Sequence, residues 1–291
     1  VNQVDDISEF GTYHPNPVIN ALTKLGQSCP QSWFGKQFGQ LVSKVVRAMV
    51  RNPLDTTVGK IRMRFYLSGN NSERKFLLTP WRFDQDERKF ISKVLRSDGV
   101  FVDIGANVGI YSLWAMSLLG SQGRVISFEP NPLVFRRLNF NVGLNLRQGG
   151  DSPQVNLFQV GIGDHEGELP LYLDRRNLGG SSILPISDKV ADHKIACKPL
   201  FSVLKDLGIS HIDILKIDIE GAEPIALSPF FKAATINLYP HYILIENSEK
   251  RWDVDFPDQL RKWGYTVELK AKNNTIYRLD RPQSGFTELP K

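Results

Sequence analysis

Beyond Gly99, short apolar runs alternate with longer stretches whose apolar residues recur at three- and four-residue spacing. The runs Phe101–Ile104, Val125–Phe128, Val155–Val160, Ile212–Ile217 and Tyr242–Ile245 predict strands. The stretches Ile110–Leu119, Leu133–Leu144, Phe201–Leu207, Ala222–Phe231 and Phe256–Trp263 predict helices. Such alternation with short connections implies parallel strands in a doubly wound α/β sheet. The end differs: Tyr265–Lys270 and Thr275–Leu279 flank the polar Ala271-Lys272-Asn273-Asn274 and predict an antiparallel hairpin. Gly167–Pro199 interrupts the alternation with an extra strand at Glu168–Leu173 and a flexible loop, Asn177-Leu178-Gly179-Gly180-Ser181-Ser182.

The first part of the chain is patterned otherwise. Residues 1 to about 55 carry Pro15, Pro17, Pro30 and Pro53 and read as irregular except for Gln37–Val50. There Phe38, Leu41, Val42, Val45, Val46 and Met49 form one face of an amphipathic helix, with Lys44 and Arg47 off the stripe and Lys36 and Arg51 beyond its ends. Such a helix packs on the core or on a second subunit, giving a homodimer, or lies as a basic helix on a membrane surface. Lys60–Leu67 and Lys75–Thr79 predict a hairpin closed by Ser68-Gly69-Asn70-Asn71, and Asp84–Arg96 a helix with Phe90, Ile91, Val94 and Leu95 inward. Residues 1–80 are therefore expected to form an N-terminal extension, and 81–291 the main domain.

Composition narrows this picture only slightly. The 291 residues are 41% hydrophobic and 23% charged, with a formal charge of +5, which suits a globular protein that meets an anionic substrate or surface rather than a dedicated nucleic-acid binder. Two cysteines, Cys29 and Cys197, offer neither a disulfide framework nor a zinc site. No apolar run reaches the roughly 18 residues of a membrane span. No secretory pattern opens the sequence, so a cytoplasmic location is the expectation.

The chemistry concentrates in Val100-Phe101-Val102-Asp103-Ile104-Gly105-Ala106-Asn107-Val108-Gly109, a strand, a glycine turn and a helix start. Glycines let a ligand approach the backbone, and the helix start offers unpaired N–H groups. Gly105 and Gly109 lie four apart, with Asn107 where a dinucleotide loop has its middle glycine. Asp103 repels a pyrophosphate but attracts an amine or sulfonium. The loop therefore suits S-adenosylmethionine better than NAD. Glu129, ending the next strand, is placed to accept both ribose hydroxyls of an adenosine, and Pro130-Asn131-Pro132 starts the following helix.

A second dense patch runs from Asp213 to Glu223. Asp218 and Glu220 are two apart at the strand's outer end and so on one side, near Asp103 and Glu129 in space, with Lys216 two residues earlier on the same face. Glu246 closes the next strand. Glu246 is a candidate for acceptor binding. Asp218 and Glu220 supply a base for a hydroxyl nucleophile, Asp218 first and Glu220 second, with Lys216 as electrostatic support; Asp218 also reads as a cofactor anchor or helix cap, and Glu220 as a first-turn glutamate. No metal is called for, although Asp218, Glu220 and Glu246 are the oxygen ligands a Mg²⁺ ion would use.

Taken together, VDIGANVGIYS, FEPNP, GGSS and LKIDIEGAE closely resemble the FkbM family of S-adenosylmethionine-dependent methyltransferases, over Phe76 to Leu279. The resemblance implies a class I methyltransferase fold and O-methylation of a small molecule, sugar or glycan. It also implies that Asp103, Gly105, Ala106, Asn107 and Gly109 wrap the methionine part of the cofactor. Glu129, with Asn131 beside it, would hold the ribose, and Val160, Gly161 and Asp164 would flank the adenine. Two other readings stay open. RNA ribose 2′-O-methylation would use Lys216, Asp218 and Glu246 with a further lysine; dispersed basic residues speak against it. A non-catalytic cofactor-binding scaffold is the other.

Overall fold

The computed structural model describes residues 4–280 apart from 31, 51–52, 148–150, 175 and 186–189; Arg51 therefore lies outside the described residues. The chain opens with two helices, α1 (Pro17–Gln27) and α2 (Trp33–Met49), each started by a side chain that accepts an early amide: Asn16 from Ile19 and Ser32 from Gly35. Next come a hairpin, β1 (Leu54–Val58) and β2 (Ile61–Phe65), and the helices α3 (Asn71–Leu78) and α4 (Gln85–Val94). The main alternation follows: β3 (Val100–Ile104), α5 (Ile110–Leu118), β4 (Arg124–Phe128), α6 (Pro132–Asn145) and β5 (Gln154–Phe158). A small sheet of β6 (Gly161–Gly163), β7 (Gly167–Leu171) and β8 (His193–Pro199) is inserted before α7 (Leu200–Asp206), β9 (Ile214–Ile217), α8 (Glu223–Ala233), β10 (Tyr242–Glu246) and α9 (Phe256–Lys262). The chain closes with the hairpin β11 (Tyr265–Lys270) and β12 (Asn274–Leu279).

The main sheet has seven strands in the order β11-β12-β10-β9-β3-β4-β5. From β10 to β5 all neighbours are parallel, while β12 runs antiparallel to β10 and β11 to β12. This is the doubly wound sheet with a terminal antiparallel hairpin expected from the sequence. Strand order reverses at β3, so a crevice opens beyond its carboxyl end, where such sheets bind ligands.

Side-chain alternation divides the core. Phe101, Ile214 and Leu244 face one layer, packed with Leu113 of α5 and Leu138 of α6. Val102, Ile104, Leu215, Ile217, Ile243 and Ile245 face the other, against Val203 of α7, Leu227 of α8 and Leu260 of α9. Ile19, Val42, Leu54, Met63 and Phe76 belong to the first layer, so residues before 81 share the core of the main domain. Glu73 of α3 and Arg137 of α6, both buried, pair at 3.0 Å across that junction.

Three expectations are corrected here. Lys75–Leu78 is helical rather than a strand, with Thr79 as the C-cap: Asn70 accepts from the amides of Ser72 and Glu73 and starts α3, and Phe76, Leu77 and Leu78 are all buried. The hairpin instead pairs β1 with β2 around Gly59, at φ +61°. The supposedly irregular start contains α1, in which Pro17 occupies the first turn, where its missing N–H costs nothing. Finally, only Val42 and Val46 of the α2 stripe are buried, whereas Phe38, Leu41, Val45 and Met49 face outward.

Candidate active site

The glycine loop joins β3 to α5 through alternating left-handed backbone at Gly105 (φ +72°), Asn107 (φ +52°) and Gly109 (φ +92°). The amides of Gly105 and Ala106 donate to the Phe128 carbonyl, at 3.0 and 2.9 Å, which pins the loop to β4. A Cβ on Gly105 would lie 2.0 Å from the Asp218 carbonyl oxygen. Glycine is required there because the chain leaving β9 passes so close.

Glu129 holds the loop from the other side. Its Oε2 accepts the amide of Asn107 and its Oε1 the amide of Asn131, both at 2.9 Å. Burial pushes its pKa up to about 7, against the lowering effect of those two amides. Each oxygen keeps a further lone pair, and the carboxylate lines the cavity.

Asp103 and Lys216 are register partners on β3 and β9. Lys216 Nζ donates to the Gly105 carbonyl at 2.8 Å and lies 3.4 Å from Asp103 Oδ1 and 3.8 Å from Asp218 Oδ2. Burial opposes the ammonium charge, yet Asp103 and Asp218 outweigh it and raise its pKa above the ordinary lysine value. Asp103 itself is fully buried, its Oδ2 accepting from Ser112 at 2.6 Å.

The cavity at the crevice is lined by Gly105, Ala106, Asn107, Glu129, Val160, Gly161, Lys216 and Asp218, together with apolar Phe128, Pro130 and Ile162. The other expected site residues stand behind or beside it. Asp103 lies beneath Lys216. Gly109 packs on Leu138, and Asn131 caps α6 at Leu133 while supporting Glu129. Glu220 opens onto a neighbouring groove and is ion-paired with Arg251. Asp164 stands apart, exposed and paired with His165 at 2.7 Å. Glu246 joins Asp218 and Glu220, the three offering oxygens within 4.8 Å of one another. Burial and the Asp218 and Glu220 charges push Glu246 up to about 7.

Sequence reasoning missed Phe83, Asp84 and Tyr111, which also line the cavity, as do Leu171, Leu178 and Ile183 of the insertion. Asp84 Oδ2 accepts from the Tyr111 hydroxyl at 3.1 Å, and its backbone is left-handed (φ +40°), a strain uncommon outside glycine. The only signal for Tyr111 was its place two residues after Gly109. Asp84 gave none. The loop expected to be flexible lies against the glycine turn, where a Cβ on Gly179 would meet Asn107 Nδ2 at 2.3 Å, and it is tied to the start of α3: Leu178 donates to the Gly69 carbonyl at 2.8 Å, and Asn177 Oδ1 accepts the Asn71 amide at 3.0 Å.

A family model described as the Methyltransferase FkbM domain matches residues 103–267, more than half of the chain. The chain belongs to the FkbM methyltransferase family. Two curated relatives show its range. The AMB antimetabolite synthetase AmbE of Pseudomonas aeruginosa is 29% identical over 61% of this chain, which spans 10% of that protein's length. The methyltransferase sdnD of Sordaria araneosa is 32% identical over 44% of this chain and 59% of its own length. Among solved structures, a Methyltransferase FkbM from Methylobacillus flagellatus KT covers 84% of this chain and 60% of its own, at 15% identity and a TM-score of 0.44. TYW2 of M. jannaschii, solved with AdoMet, covers 79% and 88%, at 11% identity and a TM-score of 0.38.

Membership of a methyltransferase family makes S-adenosylmethionine the group to test against this cavity. Its residues fit that group. A buried carboxylate with spare lone pairs, Glu129, faces the cavity beside an apolar wall, and Gly105 can carry no Cβ where the loop turns under it. Among the described residues no helix is long and apolar enough to cross a membrane.

Proposed function

We propose that this FkbM methyltransferase methylates a hydroxyl oxygen of a small molecule, sugar or glycan, with Asp218 as the proton acceptor. The carrying observation is the placement of Asp218. Its partly exposed carboxylate lies at the cavity edge, 3.8 Å from Lys216 Nζ and within 4.8 Å of the Glu246 carboxyl.

S-adenosylmethionine supplies an electrophilic methyl group on a sulfonium. The Gly105–Asn107 turn holds its methionine part, Glu129 receives the ribose hydroxyls, Asn131 orients Glu129, and Val160 and Gly161 flank the adenine. Gly109 shapes the turn, and Asp103 keeps Lys216 charged beneath it. Asp164, exposed beside His165, has no part in this arrangement. The acceptor hydroxyl must reach Asp218 Oδ, which would take its proton; such a base contributes about 10²–10⁴-fold. The Lys216 ammonium stabilises negative charge growing on that oxygen. Glu246, with its pKa near 7, is suited to hold the proton afterwards, and Glu220, tied to Arg251, fixes the outer edge of the carboxylate group. Alignment by the walls supplies much of the remaining rate.

The test is transfer of a labelled methyl group to a panel of hydroxylated acceptors, with the methylated atom assigned by NMR. An O-methyl product, reduced at least about 100-fold in Asp218→Asn with S-adenosylhomocysteine binding kept, is the expected result. An N- or C-methyl product overturns it.

A further inference from the structure

We propose that α2 docks this protein onto an anionic lipid surface, an inference that does not rest on the acceptor assigned above. The helix is built inside out. Its buried face is made of Gly35, Gly39, Val42 and Val46, while its largest side chains point to solvent. Phe34, Phe38, Leu41, Val45 and Met49 recur at four- and three-residue steps and so form one continuous stripe. Each is at least 39% exposed, with Phe34 at 77% and Trp33 beside it at 66%. The small inner residues are fixed by close packing: a Cβ on Gly35 would meet the Pro30 carbonyl at 2.0 Å, and one on Gly39 the Thr79 and Trp81 side chains at 3.2 and 3.4 Å. The helix is thus seated firmly by its small face and presents an aromatic and aliphatic stripe outward. Monomeric soluble proteins rarely leave such a stripe uncovered.

Charge identifies the occupant. Residues 10–54 contain no Asp or Glu and five bases, Lys24, Lys36, Lys44, Arg47 and Arg51. That segment therefore holds the whole formal charge of +5, and the other 31 basic residues balance the 31 acidic ones. Lys24, Lys36, Lys44 and Arg47 are exposed, and Lys44 precedes Val45 at the border of the stripe, where a long side chain can lie along apolar surface with its ammonium at the headgroups. An apolar stripe with tryptophan and phenylalanine at one end, in a segment whose Lys and Arg meet no Asp or Glu, is the composition of a helix lying in the interface of an anionic bilayer. A second copy is a poorer match, because a twofold contact would set these cations against their own copies with no acid in the segment to pair them.

The test is co-sedimentation of the full chain with vesicles of phosphatidylcholine alone and of phosphatidylcholine with phosphatidylserine in equal parts. The chain is expected to bind the mixed vesicles at low ionic strength and to be released by high salt. Trp33 emission should shift to the blue, a change absent in Trp33→Phe. Phe34→Ser with Leu41→Ser, and separately Lys36→Glu with Lys44→Glu, should each weaken binding about tenfold or more, while thermal unfolding stays at the parent temperature because these side chains are exposed. The inference is overturned by absence of binding to the mixed vesicles, by binding that survives both pairs of substitutions, or by a solution dimer that Phe34→Ser dissolves.

Discussion

Asp103 and Lys216 stand opposite each other in the register of β3 and β9, carboxylate and ammonium 3.4 Å apart, and both are buried. Asp103 thereby reaches the cavity through Lys216, whose ammonium also donates to Gly105 and faces Asp218. Removing the ammonium leaves a buried carboxylate without its charge partner. Lys216→Met should therefore cost about 3–5 kcal/mol in denaturant unfolding. The pH sign follows from the raised lysine pKa: the pair's contribution is complete below the ordinary lysine pKa and is lost as pH rises through the higher folded value. That alkaline loss should be missing from the Met variant.

Glu129 titrates near pH 7 because it is buried. Its ionised form is the better acceptor for a ribose diol, so affinity for S-adenosylhomocysteine should rise as pH increases through about 7. Glu129→Gln should bind at least about tenfold more weakly and show a flat pH profile, since the loss of charged hydrogen bonds of this kind costs about 1.5–3 kcal/mol. Calorimetric titration at several pH values measures both effects. Folding responds oppositely: the folded chain retains this proton where the unfolded chain has released it, so this group's contribution to stability falls as pH rises from the ordinary carboxyl value of 4.5 to about 7.

Gly105→Ala should abolish cofactor binding and destabilise the fold. Its Cβ meets the Asp218 carbonyl oxygen at 2.0 Å, and its backbone is left-handed. The conformational part alone amounts to about 1–2 kcal/mol. Gly143 in α6 is the control: a Cβ there meets nothing within 4 Å, and alanine should leave binding unchanged while stabilising by about 0.5–1 kcal/mol. Thermal unfolding with and without S-adenosylhomocysteine separates the two outcomes.

Glu246→Gln removes the carboxyl that titrates near 7 among the three. At saturating S-adenosylmethionine, where the Glu129 titration no longer limits binding, turnover should fall less than in Asp218→Asn, and the acidic limb of the pH–rate profile near pH 7 should disappear. A limb that persists unchanged would assign that titration to another group.

Much of this site was legible because strand alternation is strict. Counting by two from Asp218 puts Lys216 on its face, and register then brings Lys216 to Asp103. The glycine loop was legible for a similar reason, since few residues other than glycine accept φ +72° beside a neighbouring carbonyl. Asp84 was hidden, since what sets it apart is a strained φ and a hydrogen bond to Tyr111, neither of which has a local spelling. The strand expected at Lys75–Thr79 failed because Phe76, Leu77 and Leu78 are buried together. A run apolar on every side has no period to distinguish a helix from a strand. The cap at Asn70 was the better signal there.

The contacts made before residue 81 bear on where this catalytic unit can be cut and joined. Glu73 pairs with buried Arg137, Asn70 Nδ2 donates to Asn107 Oδ1 at 2.7 Å, and Gly69 receives the amide of Leu178. The family match begins at Asp103, but a graft that begins there, or at residue 81, would strip the underside from its own glycine turn and leave Arg137 as an orphaned buried cation. A transplantable cassette must also carry α1 and α2, whose Ile19, Val42 and Val46 lie in the same core, so the unit that folds is longer than its signature.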